Sequence, residues 1–144
     1  IITARGGVLE LYSNKNRSID EILGDTKLDG IIVYGMIYLY TPNIALEILK
    51  SLKSHLNENG KILINFVSTD DSLKSDAKVL GENLYEITEP THKRLIFTFY
   101  SLDMIKEIIN SAGLKIISIE KNHFWLDNGA IKHDYINIQA TPIN

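Results

Sequence analysis

The chain has 144 residues, no cysteine and a formal net charge of −3. That length suits one domain with a real core, and the missing cysteine rules out a disulfide framework, a thiolate nucleophile and a Cys-based zinc site. A pI near 5.8 with interleaved charges argues against a general nucleic-acid or anionic-membrane binder. The longest apolar stretch, "GIIVYGMIYLY" at 30–40, falls short of the roughly 20 residues that span a bilayer. No basic-headed signal segment opens the chain, so the expected compartment is the cytoplasm. The start without Met hints at a trimmed or partial chain.

Residues 1–29 carry one short apolar run, Val8–Tyr12, followed by the polar turn "SNKNRS". Ser18 with Glu21 three residues on has the spacing of a capping box over a short helix. After Asp29-Gly30, the run Ile31–Tyr34 reads as a strand covered on both faces. Pro42 sits where a first helical turn tolerates it. Ala45, Ile48, Leu49, Leu52 and Leu56 then give a helix with one buried stripe. Gly60 is expected to end that helix, and Lys61–Val67 to form the next buried strand.

Residues 68–94 lack a sustained apolar period, with a short helix expected near Ser75–Leu80. An excursion of this length at a strand's carboxyl end is more often functional than idle. Leu95–Tyr100 reads as extended. Ser101 caps a second helix with Leu102, Ile105, Ile108, Ile109 and Ala112 on one face, and Gly113 closes it. Leu114–Glu120 is a third strand, "LDNGAIKHD" a connection turning at Asn128-Gly129, and Tyr135–Ala140 a fourth strand. Strands alternating with helices imply a parallel sheet with right-handed crossovers. The last connection is too short for a crossover, so the final strand should run antiparallel.

"LDGIIVYGMIYLYTPNIALEILKSLKSHLNENGKILINF" resembles the fourth strand, following helix and fifth strand of class I S-adenosylmethionine-dependent methyltransferases. The family pattern is an Asp beginning the strand, a Pro opening the helix, and "L-x-x-x-G-x-L-x-I" entering the next strand. "THKRLIFTFYSLDMIKEIINSAGLKIISIE" is similar to the "tH-x-R-x-F-t-x-x-s-L…aG-f-x-I" stretch of methyltransferases associated with sugar and cell-envelope modification. The resemblance covers roughly residues 20–140. It implies an α/β, Rossmann-like sheet, mostly parallel with an antiparallel C-terminal strand and truncated at its N-terminus, in a single domain over 1–144. The departures are specific. "VLELYSNKNRS" has Tyr, Ser and Asn where the family's cofactor loop has glycines, and only about 20 residues separate it from Asp29. Two further strands with crossovers of at least 10–12 residues each do not fit that interval. After the fourth strand many relatives carry Glu-His, where this chain has Ile37-Tyr38.

The resemblance implies S-adenosylmethionine as cofactor and a small-molecule methyl acceptor, a sugar or lipid precursor among the candidates. For the cofactor, Glu10 and Asp25 are the candidate acids, and Gly35 with Met36 follow the strand whose end contacts cofactor or substrate in the family. His92, in "PTHKR", is the candidate catalytic base, since a neutral imidazole suits proton work near pH 7; a lone His there more commonly ties down its loop. His123 and His133 flank the last turn with Asp127 and Asp134, but their spacing matches no metal-ligand pattern, so a solvated turn is expected. Asp70-Asp71 reads as a charged loop cap. The alternative function is a non-catalytic domain that keeps the sheet and serves as a structural or partner-binding module. A missing front half would expose a sheet edge, so a homodimer or a covering partner domain is expected.

Overall fold

A computed structural model describes residues 2–4, 8–10, 18–90, 92 and 94–143. In chain order the elements are β1 (Ile2–Ala4), β2 (Val8–Glu10), α1 (Ile19–Leu23), β3 (Leu28–Val33), α2 (Pro42–Ser54), β4 (Leu56–Val67), β5 (Lys78–Gly81), β6 (Leu84–Glu86), β7 (Ile96–Thr98), α3 (Leu102–Ser111), β8 (Leu114–Leu126) and β9 (Ile131–Pro142). Short 3₁₀ turns cover Ile37–Leu39, Ser72–Lys74 and Asp127–Gly129.

The main sheet has six strands in the order β2-β1-β3-β4-β9-β8, and a second sheet holds β5, β6 and β7. β3 and β4 are parallel, with Ile31 beside Ile62 and Val33 beside Ile64, and α2 makes the crossover. From β4 the chain crosses through α3 to β8. It then returns as the reversed strand β9, which inserts between β4 and β8 and pairs antiparallel with both. So β3, β4 and β8 point one way and β9 the other, as the short last connection requires. Because β9 separates β4 from β8, only β3 and β4 are parallel hydrogen-bonded neighbours among the described strands. The opening hairpin β1–β2 joins the sheet along β3, antiparallel, with Ile2 beside Ile32.

Alternation along β4 and β9 fixes which residues are covered. Ile62, Ile64 and Phe66 lie opposite Ala140, Ile138 and Ile136. All six are buried, in one cluster with Ala45, Leu49 and Leu52 of α2 and Ile105, Ile108 and Ile109 of α3. Each fully buried Leu or Ile contributes about 1.5–3 kcal/mol relative to exposure. The helices start where side-chain oxygens meet their free amides: Ser18 and Glu21 form the reciprocal box on α1, and Ser101 accepts from the Met104 amide on α3 at 3.2 Å. Gly113, with φ of +75°, follows the end of α3 in the left-handed conformation that glycine takes without penalty.

Four expectations change. First, α2 stops at Ser54 rather than at Gly60. His55 leaves the helix because its ring is recruited elsewhere: Nδ1 lies 3.2 Å from the Thr26 carbonyl oxygen, and Nε2 lies 2.8 Å from Asp20 Oδ1. Hydrogen bonds from His55 and Ser51 hold the Asp20 carboxyl below its usual value. Leu56 already pairs with Leu28, and the register then slips so that Gly30 meets Lys61. Gly60 sits in that bulge, where a Cβ would come within 3.0 Å of the carbonyl oxygens of Asn57 and Leu28 and of Leu56 Cδ2. It is a close-approach glycine, not a helix stop. Second, β3 begins at Leu28, before the Asp29-Gly30 pair. Third, the described residues of 68–94 contain no α-helix; a 3₁₀ turn is at Ser72–Lys74, and Lys78–Gly81 is a strand. Fourth, β8 and β9 pair as far as Leu126 and Ile131, so the connection shrinks to residues 127–130. No helix among the described residues is long and apolar enough to cross a membrane.

Gly60→Ala should lower the stability of the chain by about 1–3 kcal/mol, since neighbouring backbone must shift to admit the methyl group. Gly81→Ala, where a Cβ meets nothing within 4 Å, should change it by less than about 1 kcal/mol. Urea unfolding of the two variants checks the contrast.

Candidate functional site

The carboxyl ends of β3 and β4 face the start of β9 and the end of β8, and the three-stranded sheet stands beside them. β4 ends at Val67 opposite Tyr135, whereas β8 and β9 stay paired over His123–Leu126 and Ile131–Asp134. A two-stranded ribbon therefore overhangs the carboxyl edge of the sheet. In open α/β folds that edge is where ligands sit.

Asp71 tethers the overhang. Its carboxylate is buried and accepts from three sides. Oδ1 takes the Leu73 amide at 2.9 Å, and Oδ2 takes the Asp134 amide at 2.8 Å and faces His133 Nδ1 at 3.2 Å. A carboxylate only accepts, so Nδ1 of His133 carries a proton, and in the neutral form of the ring the lone pair is on Nε2. Ser72 adds a second clasp, its Oγ accepting from the Lys132 amide at 2.9 Å. Asp71 thus caps its loop as expected from the sequence, and it also binds a strand 63 residues away.

Rings fill the space between the ribbon and the smaller sheet. Phe124 and His133 are cross-strand partners with ring centroids 5.1 Å apart, and Tyr135 stacks with Phe124 at 5.7 Å and with His133 at 5.9 Å. Tyr38, in the turn after β3, packs edge-on against Phe97 of β7 at 4.9 Å and lies 6.2 Å from Tyr135. His92 closes the cluster, 5.7 Å from His133 and 6.1 Å from Phe97. Its Nδ1 lies 2.8 Å from Glu89 Oε2. Two imidazole–carboxylate pairs, Glu89–His92 and Asp71–His133, therefore stand face to edge. Burial pushes the Tyr38 phenol above its usual value, with Tyr135 as a hydrogen-bonding neighbour pulling the other way. Burial and the proximity of Tyr38 push Tyr135 up as well, so both phenols are protonated at neutral pH.

The residues singled out from sequence divide into two groups. His92, Gly35 and Met36 reach this edge. Gly35 has φ of +69° and turns the chain straight after β3, and Met36 packs against the core. Asp25 does not reach it: it is exposed in the turn before Leu28, at the amino end of β3, about 20 Å from Gly35 along six extended residues. Glu10 ends β2 beside Ile2, and its side chain lies outside the described residues, as do Tyr12, Ser13 and Asn14. His123 is exposed and in ring contact with Trp125 at 5.1 Å. His133 and Asp134 are buried, so the turn expected to be solvated is not solvated on that side. Among the described residues no group of three or more His, Asp or Glu could hold a metal ion. Sequence reasoning passed over the joint role of Asp71, His133 and Tyr135; the signal was the alternation His133-x-Tyr135, which puts both rings on one face.

The described residues do not fit S-adenosylmethionine as a complete cradle. Holding it takes open backbone amides for its carboxylate and an unengaged acid for its ribose. The capping box of α1 takes the amides of Ser18 and Glu21. Asp70 is 3.4 Å from Lys121, Asp71 has three donors, and Glu89 faces His92. Tyr34, 66% exposed, and Gly35 offer surface at the end of β3 but no acid.

No family model matches the chain, and no curated protein matches it. Solved structures do match. A 1,6-didemethyltoxoflavin-N1-methyltransferase of Burkholderia thailandensis, solved with 1,6-didemethyltoxoflavin and S-adenosylhomocysteine, is 15% identical with a TM-score of 0.59 over 84% of this chain and 46% of its own. An S-adenosylmethionine-dependent methyltransferase of Methanosarcina mazei is 12% identical with a TM-score of 0.64 over 83% of this chain and 61% of its own. Another, from Clostridium acetobutylicum, is 11% identical with a TM-score of 0.58, over 83% and 60%. At such identity the likeness shows the fold: a methyltransferase-type α/β sheet with the reversed C-terminal strand. The chain spans 46% to 61% of the length of these three proteins.

Asp71→Ala should cost about 2–4 kcal/mol, because it strands two buried amides and the His133 imidazole. Asp134→Asn removes a carboxylate that, among the described residues, pairs with Lys132 at 3.2 Å and has its Oδ1 buried without a partner, so it should cost about 1 kcal/mol or less. Urea midpoints measure both.

Proposed function

We propose that this chain supplies the acceptor side of S-adenosylmethionine-dependent methyl transfer to an oxygen or nitrogen of a small molecule, with the cofactor cradle outside the described residues. The observation that carries this reading is the cluster at the carboxyl edge of a methyltransferase-type sheet. Two protonated phenols and two imidazoles held by carboxylates are gathered there with an open aromatic wall. Such a set binds and orients a small acceptor, and an oriented imidazole removes its proton. The Burkholderia protein is named for methylating a small heterocycle, which supports the same class of acceptor. Within this reading His92, half-buried and anchored by Glu89, approaches the acceptor from the loop side. β8, exposed along most of its length, is the outer strand along which a second copy or a partner domain would pair.

One observation favours the non-catalytic module instead: the described residues lack a cofactor cradle. The two readings separate experimentally. Calorimetric titration of this chain with S-adenosylmethionine should show no saturable binding in the micromolar range, since two or three missing charged hydrogen bonds at roughly 1.5–3 kcal/mol each weaken such a site to millimolar or worse. The same residues expressed with whatever sequence precedes them in the gene should bind the donor and transfer a labelled methyl group. In that protein His92→Ala should keep donor binding and slow transfer by about a hundredfold. A micromolar one-to-one isotherm for this chain alone would overturn the missing cradle. A longer protein that binds no donor would leave the module reading.

A further inference from the structure

Phe124, Tyr135 and His133 occupy one face of the overhanging ribbon, because Phe124 and His133 are opposite each other and Tyr135 lies two residues along the same strand. Tyr135 is turned by 20° from Phe124 and by 25° from His133, and Phe124 and His133 are tilted 45° to each other. Exposure falls steeply across this row. Phe124 is 41% exposed, whereas His133 is 2% exposed. The result is a packed aromatic step with the Phe124 ring at its solvent edge and an oriented imidazole at its buried edge.

The imidazole is only half used. Nδ1 faces the Asp71 carboxylate, and among the described residues no group hydrogen-bonds Nε2. A lone pair at this depth, beside a large open ring, calls for a hydroxyl or N–H donor attached to something flat and apolar. Charge narrows the class further. Two carboxylates, those of Asp71 and Glu89, face the imidazoles of the cluster, which disfavours a ligand carrying its own carboxylate or phosphate.

We infer that the Phe124–Tyr135–His133 step seats a neutral, planar aromatic ligand bearing a hydroxyl group, whose O–H donates to Nε2 of His133. The ligand's ring stacks on the exposed ring of Phe124. When the hydroxyl is activated, its O–H bond breaks and the proton forms an N–H bond at Nε2. This leaves an aryl oxide beside an imidazolium whose Nδ1–H points at Asp71. Asp71 is then the positioning residue: it sets the tautomer and faces the positive ring. The inference deepens the methyl-transfer reading by naming the acceptor class and the proton-accepting residue, but binding at the step does not require the methyl donor.

The test uses 4-nitrophenol, a flat phenol whose ionised form is yellow, titrated into the full 144-residue chain near neutral pH. Saturable binding is expected, with a larger yellow fraction for bound than for free nitrophenol. Phe124→Ala should weaken binding about tenfold, the equivalent of about 1.4 kcal/mol. His133→Gln should retain binding within a few fold but lose the gain in ionised nitrophenol. Trp125→Ala, on the other face of the ribbon, should leave both readouts unchanged and shows that an altered ribbon still folds. Binding that is indifferent to Phe124→Ala, a yellow fraction that survives His133→Gln, or no saturable binding by the folded chain would each overturn the inference. Nitrophenol binding without methyl transfer in the longer protein overturns the function and leaves the step standing. Transfer without nitrophenol binding does the reverse.

Discussion

The buried carboxylate of Asp71 is the constraint on which this end of the molecule depends. It leaves the main sheet just beyond β4, and it satisfies two backbone amides and one imidazole that would otherwise be buried without partners. A group of this kind is costly to leave unpaired, so its three donors are held as one unit. That unit fixes where the reversed strand β9 emerges from between β4 and β8. It also prevents the paired ends of β8 and β9 from moving independently of the sheet. The aromatic cluster follows: Phe124, His133 and Tyr135 share one face of the ribbon, and His92 from its loop and Phe97 from the smaller sheet close on them.

The two ends of the sheet do different jobs. At the amino end, Asp20, Ser51 and His55 tie α1 to the end of α2, and Gly60 lets β4 bulge beneath Leu28. These are devices of stability, and Asp25 lies among them. At the carboxyl end, the same strands expose Tyr34 and Phe124 and hold oriented phenols and imidazoles nearby. The exposure of a large aromatic ring beside buried polar groups is characteristic of a binding edge rather than of a core.

Much of the fold was legible in the sequence because its causes are local. The stripes of α2 and α3 come from residue spacing, the caps at Ser18 and Ser101 from short-range hydrogen bonding, and the reversal of β9 from a connection too short for a crossover. What was not legible depends on partners far away in the chain. Gly60 looked like a helix stop because its true neighbours, Leu28 and its carbonyl, are 32 positions earlier. β5 and β6 carry little alternation because they pair in a small, half-exposed sheet. His133 looked like part of a solvated turn because the run "NHFWLDNGAIKHD" is polar at both ends. Only the pairing of β8 with β9 places Phe124 and Tyr135 around it. Asp71 was visible as a loop cap, and its hold on β9 was not. Of the residues singled out, His92, Gly35 and Met36 lie at the carboxyl edge of the sheet, and Asp25 lies at the amino end of β3.

The central claim is that Asp71 orients His133 with Nε2 as the free, proton-accepting nitrogen. The most direct measurement is the nitrogen-15 spectrum of the histidine side chains in the labelled chain, at a pH where the His133 ring is neutral. The account predicts a protonated Nδ1 and an unprotonated Nε2 for His133, reverting toward the mixed-tautomer pattern of a free imidazole in Asp71→Asn. A neutral His133 carrying its proton on Nε2 would contradict it.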